Sequence, residues 1–158
     1  MTRIKRENFK PKRGQVDYTH ARFAPALNCV VMHRGKILIV RRSRRMRLYP
    51  GYWNGIGGFL DDGKTLEEKT KEELKEELGI RATDIISMKR GEIFEAEEPK
   101  YKKVWIIFPV LVKVKTERIK LDWEAEEYRW IRLEDANKFN LTPSFRGVLK
   151  RLFPAYML

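Results

Sequence analysis

Cysteine, histidine and long apolar runs are all scarce in this chain, and each scarcity closes off a class of chemistry. Of 158 residues, only Cys29 is a cysteine. That excludes an internal disulfide framework and fits a reducing, cytoplasmic setting. Its neighbours, ALNCVVM, mark it as a buried strand residue. The two histidines, His20 and His33, with one isolated cysteine, offer no convincing zinc site and no Ser/His/Asp triad. No apolar run approaches the roughly 20 residues that span a bilayer, so no membrane association is expected. The first residues are charged and lack the apolar stretch of a signal peptide, so export is not expected either.

Acidic residues are also scarce in one region. Residues 1–50 hold 14 Lys and Arg against only Glu7 and Asp17, whereas residues 51–158 hold 20 of each sign. The whole +12 excess therefore lies in the N-terminal third. Such asymmetry suits a polyanionic substrate or an RNA contact through that third; a solvated basic face is the bland alternative. What is present is enough for a packed domain. Apolar residues make up 42%, with four Trp, six Tyr and eight Phe, in a chain long enough to bury one core.

Residues 1–20 lack periodicity and read as a basic arm, with Val16–Tyr18 as an edge strand. The runs on either side of His33–Arg34–Gly35–Lys36 form a β-hairpin over 26–41. A basic loop, RRSRRMRLYPGYWNG, leads to a short strand near Trp53–Ile56. Thr65 starts a helix with Glu68 three positions on, which makes a capping box, and Gly79 stops it. Leu66, Thr70, Leu74 and Leu78 recur every four residues and face the core. Two long strands follow, Asp84–Glu97 and Lys103–Lys115; the apolar continuity of VWIIFPVLV puts the second in the sheet centre. A strand over 126–133, a short helix at LEDANKF and an amphipathic helix over Pro143–Phe153 complete a mixed sheet with helices packed on it, an α/β or α+β sandwich.

The stretch from Gly57 to Ile80, GGFLDDGKTLEEKTKEELKEELGI, carries the chemistry. Its helix holds six glutamates, four of them as Glu72–Glu73 and Glu76–Glu77. Carboxylates this crowded repel one another unless a cation sits among them. Glu73 lies three residues before Glu76 and four before Glu77, so the three project to neighbouring positions and suit a hard cation, Mg²⁺ or Mn²⁺. Gly57–Gly58 allows the backbone to approach closely. On spacing alone, an acidic surface face offset by Lys69, Lys71 and Lys75 remains open.

Residues 58–80 resemble the Nudix box, G-x5-E-x7-R-E-U-x-E-E-x-G-U, where U is a bulky aliphatic residue. Gly58, Glu73, Leu74, Glu76, Glu77, Gly79 and Ile80 fall in register. The hairpin ending in ILIVRR, the Pro-Gly-x-Trp run and the late EEYRWI segment extend the similarity over roughly 24–153. The resemblance implies an α/β fold, an α/β/α sandwich with a mixed central sheet, in a Nudix domain spanning 21–158 after the arm at 1–20. It implies Mg²⁺ (or Mn²⁺) bound by Glu73, Glu76 and Glu77 with the Gly58 carbonyl, and one of these glutamates acting on the attacking water. In some relatives the base lies on a later loop, for which Glu117, Glu124 and Glu126 are candidates. The implied reaction is metal-assisted hydrolysis of the diphosphate linkage in a nucleoside-diphosphate derivative. A homodimer is a family expectation.

Two signature positions depart from the pattern. Lys64 stands where the box has glutamate, and Glu72 where it has arginine. The exchange is consistent with an ion pair of reversed polarity, Lys64 facing Glu72. It also places an extra negative charge beside the metal ligands, and the alternative is a weak or inactive Nudix domain that binds nucleotide or RNA. Arg41, Arg42, Arg44 and Arg45 could hold phosphates, because guanidinium makes bidentate contacts to phosphate oxygens. Tyr49, Tyr52, Trp53 and Phe59 could stack on a base, with core packing the better reading for Trp53. The run YPGYWNGIGG is similar to isopentenyl-diphosphate isomerases, but those need a cysteine where this chain has Gly55.

Overall fold

A computed structural model describes residues 11–155. Its core is one mixed sheet whose strands are β1 (Phe23–His33), β2 (Lys36–Arg42), β3 (Trp53–Asn54), β4 (Ile56–Phe59), β5 (Ile85–Arg90), β6 (Phe94–Glu98), β7 (Lys103–Val114) and β8 (Ala125–Ile131). The central path runs β3-β2-β1-β7-β5, with β4 on β1, β6 on β7 and β8 on β2. β1 and β7 pair in parallel from Phe23–Val104 to Met32–Lys113, and the other strand pairs are antiparallel.

Alternation along β1 and β2 splits the core in two. Leu27, Cys29, Val31, Leu38 and Val40 face helix α1 (Leu66–Leu78), whereas Ala24, Val30, Ile37 and Ile39 face helix α2 (Pro143–Leu152). The result is a helix on each face of the sheet, the α/β/α sandwich. α1 begins as expected: the Thr65 side chain accepts from the Glu68 N–H, and the Glu68 carboxylate accepts from the Thr65 N–H. Gly79 takes φ 67°, a left-handed conformation that favours glycine, and closes the helix by donating to the Lys75 carbonyl. At α2 the Thr142 side chain accepts from the Phe145 N–H, without a reciprocal side-chain bond.

The expected short helix at LEDANKF is a 3₁₀ segment, Leu133–Lys138. Two expected strands are each divided, and a third is not a strand. The strand near Trp53–Ile56 is two strands meeting at Gly55, because the chain crosses there from β2 to β1. A Cβ at Gly55 would sit 2.4 Å from the Cys29 carbonyl oxygen and 2.9 Å from Phe145, so only glycine makes the crossing. The stretch Asp84–Glu97 is broken between β5 and β6 opposite Pro109, which has no N–H to give the ladder. Gly91 donates to the Pro109 carbonyl and packs against that ring, where a Cβ would lie 3.0 Å away. Val16–Tyr18 forms no strand; Val16 is half exposed, and its N–H donates to the Asp61 carbonyl. Residues 1–10 of the expected arm lie outside the described residues.

Candidate active site

The box glycines lie on β4, which pairs with β1 so that Gly58 stands opposite Leu27. This brings the Gly58 backbone against α1. A Cβ on Gly58 would lie 2.9 Å from Glu73 Oε1 and 3.0 Å from its Cδ, so the absent side chain is the space that the Glu73 carboxylate occupies. Carboxylate oxygens of Glu72, Glu73 and Glu76 come within 4.8 Å of one another. Glu76 is exposed, and Glu73 and Glu77 are partly buried.

A fifth carboxylate arrives from a distant part of the chain. The loop between β7 and β8 is tied to the end of α1: the Lys120 N–H donates to the Leu78 carbonyl and the Asp122 N–H to the Glu77 carbonyl. Its other end is tied to β2, where the Ser43 N–H donates to the Glu124 carbonyl. The Glu124 N–H is held in turn by the Asp122 carboxylate. Glu124 therefore faces Glu77. The other two candidate bases are placed differently. Glu126 is exposed and pairs with Arg41 at 3.6 Å while accepting the Arg44 N–H. Glu117 gives its carbonyl to the Trp130 indole N–H.

The electrostatics reflect this crowding. Burial, and then the charges of Glu124, Glu76 and Glu72, push the Glu73 carboxyl up to about 8 against the opposing pull of Lys69. Glu77 is raised well above the usual carboxylate range by burial first, then by its hydrogen bond to Glu124 and the charges of Glu124, Glu73 and Asp122. Its Oε2 is sealed from solvent with no hydrogen-bond donor. A buried, unsatisfied carboxylate oxygen among other carboxylates is costly as an anion. It becomes favourable beside a divalent cation, and the donors present are all hard oxygens, which suits Mg²⁺ or Mn²⁺.

Beside the carboxylates lies a cavity of about 200 Å³, whose lining includes Glu77, Glu124, Arg42, Asn28, Phe59 and Trp105. Drug-sized pockets run to roughly 300–1,000 Å³, so this one admits part of a nucleotide. Arg42 reaches it from β2, its Nε donating to the Leu48 carbonyl. Arg41 points to the opposite face of the strand and pairs with Glu126 and Glu127. Arg44 and Arg45 are exposed outside the lining. Of the aromatics, Tyr49 and Phe59 line the cavity. Tyr52 stacks edge-on against Tyr49 at 5.6 Å, and Trp53 is core, packed on Phe139.

Sequence reasoning missed Asn28, Met46, Leu48 and Trp105 in this lining, and the contact of Tyr101 with Tyr49, rings 4.8 Å apart. Strand pairing brings Asn28 of β1 and Trp105 of β7 together, the loop after β2 adds Met46 and Leu48, and no local spacing announces it. It also missed that Lys69 is buried. One signal was available: Lys69 follows Leu66 by three residues, at the margin of the apolar stripe. The reversed pair is present, with the Lys64 ammonium against the Glu72 carboxylate and 3.6 Å from Asp62.

No helix among the described residues is long and apolar enough to cross a membrane. Solved structures similar to this fold include the MutT NUDIX hydrolase from Burkholderia pseudomallei, with TM-score 0.71 and 20% identity over 82% of this chain and 98% of that one. The NUDIX domain of Shewanella oneidensis NrtR, complexed with ADP ribose, has TM-score 0.71 and 15% identity over 94% of each chain. Among curated proteins, the Escherichia coli nucleoside triphosphatase NudI is 23% identical over 127 residues, 77% of this chain and 90% of its own length. The family model for the NUDIX domain matches residues 22–152, so the chain belongs to the Nudix family of acid-anhydride hydrolases.

Proposed function

We propose that this protein hydrolyses the diphosphate linkage of a nucleoside-diphosphate derivative, with Mg²⁺ or Mn²⁺ held by Glu73, Glu76, Glu77 and the Gly58 carbonyl. The observation that carries the reading is the meeting of Glu77 and Glu124 in the lining of a cavity that Arg42 and aromatic rings share, with Glu73 close enough to feel the charge of Glu124. When bound, the cation would neutralise phosphate oxygens and lower the pKa of water. The chain's own residues supply the rest. Arg42 faces the phosphates as a fixed donor, and Phe59 and Tyr49 offer ring faces to a base. Glu124, opposite Glu77, accepts the proton of the attacking water. Arg44, exposed on the loop after β2, serves as peripheral attraction for the phosphate chain, whereas the charge of Arg41 is taken up by Glu126 and Glu127. The domain boundary stays at residues 20 and 21, and the buried Cys29 suits a cytoplasmic setting.

A panel of nucleoside triphosphates, dinucleoside polyphosphates and nucleotide sugars, assayed with Mg²⁺ and Mn²⁺, tests this. Metal-dependent release of a nucleoside monophosphate or phosphate, lost in Glu77→Gln, supports it. A chain that turns over nothing yet binds nucleotide or RNA in a salt-sensitive way would instead be a binding module, the reading that Glu72 keeps in play.

A further inference from the structure

Lys69 is the one lysine of α1 that the fold buries, with 7% of its side chain exposed. Its ammonium lies 3.4 Å from Asp61, 3.2 Å from Asp62, 3.6 Å from Glu72 and 3.8 Å from Glu73. The first two come from the loop that leads into the helix and the last two from the next turn. A lysine buried among four carboxylates is an internal counter-ion, because neither side could be desolvated alone. Lys64 offers the same cluster a second charge, but its side chain is 45% exposed and its pairing with Glu72 is screened by water.

The signature places a cation immediately before the first metal-binding glutamate, and this chain has Glu72 there. The departure removes a positive charge and adds a negative one next to Glu73. We infer that Lys69 is the positioning residue that takes over from the missing arginine, holding Glu73 in the metal-binding orientation from one turn earlier in the helix. The geometry constrains Glu73 from two sides. Its Oε1 packs over the bare Gly58 backbone, 2.9 Å from where a Cβ would stand, and the same oxygen is the one nearest Lys69. Without the ammonium, Glu73 would have Glu72 and Glu76 as its nearest charged neighbours on the helix, and like-charge repulsion would turn it away from Gly58. Lys69 touches no reacting atom in this account; it acts through Glu73.

The inference rests on the metal reading above, and the experiment separates the two. Mn²⁺ binding is followed by electron paramagnetic resonance in the unsubstituted protein, Glu77→Gln, Lys69→Met, Glu72→Arg and the double variant Lys69→Met/Glu72→Arg. Folding is checked by circular dichroism, and hydrolysis of the best substrate by kcat and KM. Lys69→Met should weaken Mn²⁺ binding at least tenfold and lower kcat more than it raises KM. Restoring the arginine in the double variant should bring Mn²⁺ affinity to within threefold of Glu72→Arg alone. Unchanged or tighter Mn²⁺ binding in Lys69→Met overturns the inference, since Lys69 would then be only a competing charge. If Lys69→Met does not fold, the comparison between Glu72→Arg and the double variant decides, and a tenfold loss there overturns it. Mn²⁺ binding that depends on Glu77 but ignores Lys69 sinks this inference alone. A protein that binds no Mn²⁺, or binds it equally in Glu77→Gln, sinks the metal reading and this inference with it.

Discussion

Burial lifts the Glu73 carboxyl from an ordinary 4.5 to about 8, and Glu77 moves in the same direction. In the metal-free protein these shifts act on stability. Between about pH 4.5 and pH 8 the folded chain holds protons that the unfolded chain has lost. The raised pKa therefore contributes stability that is complete below the unfolded value and is lost as pH rises through the folded one. We expect the melting temperature of the metal-free protein to fall as pH increases from about 5 to 8, and Glu73→Gln to flatten that slope. A melting temperature that climbs across this window would contradict the assignment. Mn²⁺ should restore stability more at the alkaline end, because a cation favours the ionised carboxylates. The cavity offers a second test at this scale. Phe59 lies against Trp105, rings 5.7 Å apart, in the cavity lining. Phe59→Ala removes a stacking face and no metal ligand, so KM should rise about tenfold, in line with the roughly 1–3 kcal/mol of a stacked base, while Mn²⁺ affinity is unchanged. A larger effect on kcat than on KM would place Phe59 in the core and not in recognition.

At the scale of elements, what could be read in the sequence was local, and what could not was decided by strand pairing. The capping box of Thr65 and Glu68, the Gly79 stop and the four-residue apolar repeat each involve neighbours within one or two turns, so α1 was legible to the residue. The expected metal trio was legible only in part: the carboxylates that cluster on the helix are Glu72, Glu73 and Glu76, while Glu77 turns instead towards Glu124. The break at Gly91 depends on Pro109, 18 residues downstream in sequence, and the division at Gly55 depends on the Cys29 carbonyl. Glu124 reaches Glu77 through backbone hydrogen bonds from Lys120, Asp122 and Ser43, which no motif announces. The two glycine sites predict opposite phenotypes. Gly55→Ala forces a Cβ to within 2.4 Å of a backbone oxygen, where nothing flexible can yield, and should destabilise by about 2 kcal/mol or more in chemical denaturation. Gly58→Ala meets only the end of a side chain, so stability should change little while Glu73 is displaced and Mn²⁺ binding falls. The reversed ion pair belongs here too. Lys64→Glu should lower the melting temperature, and adding Glu72→Arg should recover it; additive effects in that cycle would mean that the pair does not link loop to helix.

For the whole molecule, the charge excess and the site lie along the same stretch of chain. The loop after β2 carries Arg44, Arg45 and Arg47 between the buried Ser43 and the cavity-lining Leu48 and Tyr49. Its outer end is fixed by the Arg44 N–H on Glu126, and its inner end by Arg42 on the Leu48 carbonyl. Only Arg42 enters the lining; Arg44 and Arg45 stay in solvent. Their charges can therefore act on an approaching polyphosphate at a distance, where salt screens them, and not as a desolvated clamp. The two roles separate kinetically. A steering charge changes the encounter and hence kcat/KM, with an effect that fades above roughly 0.3 M salt as the Debye length drops towards 5 Å. A clamp lowers kcat, and salt barely alters the loss. Replacing both Arg44 and Arg45 with glutamine should reduce kcat/KM several-fold at low ionic strength and make little difference at high ionic strength, with kcat within about twofold throughout. A salt-independent fall in kcat would move these arginines into the site and would require the loop to close over the substrate.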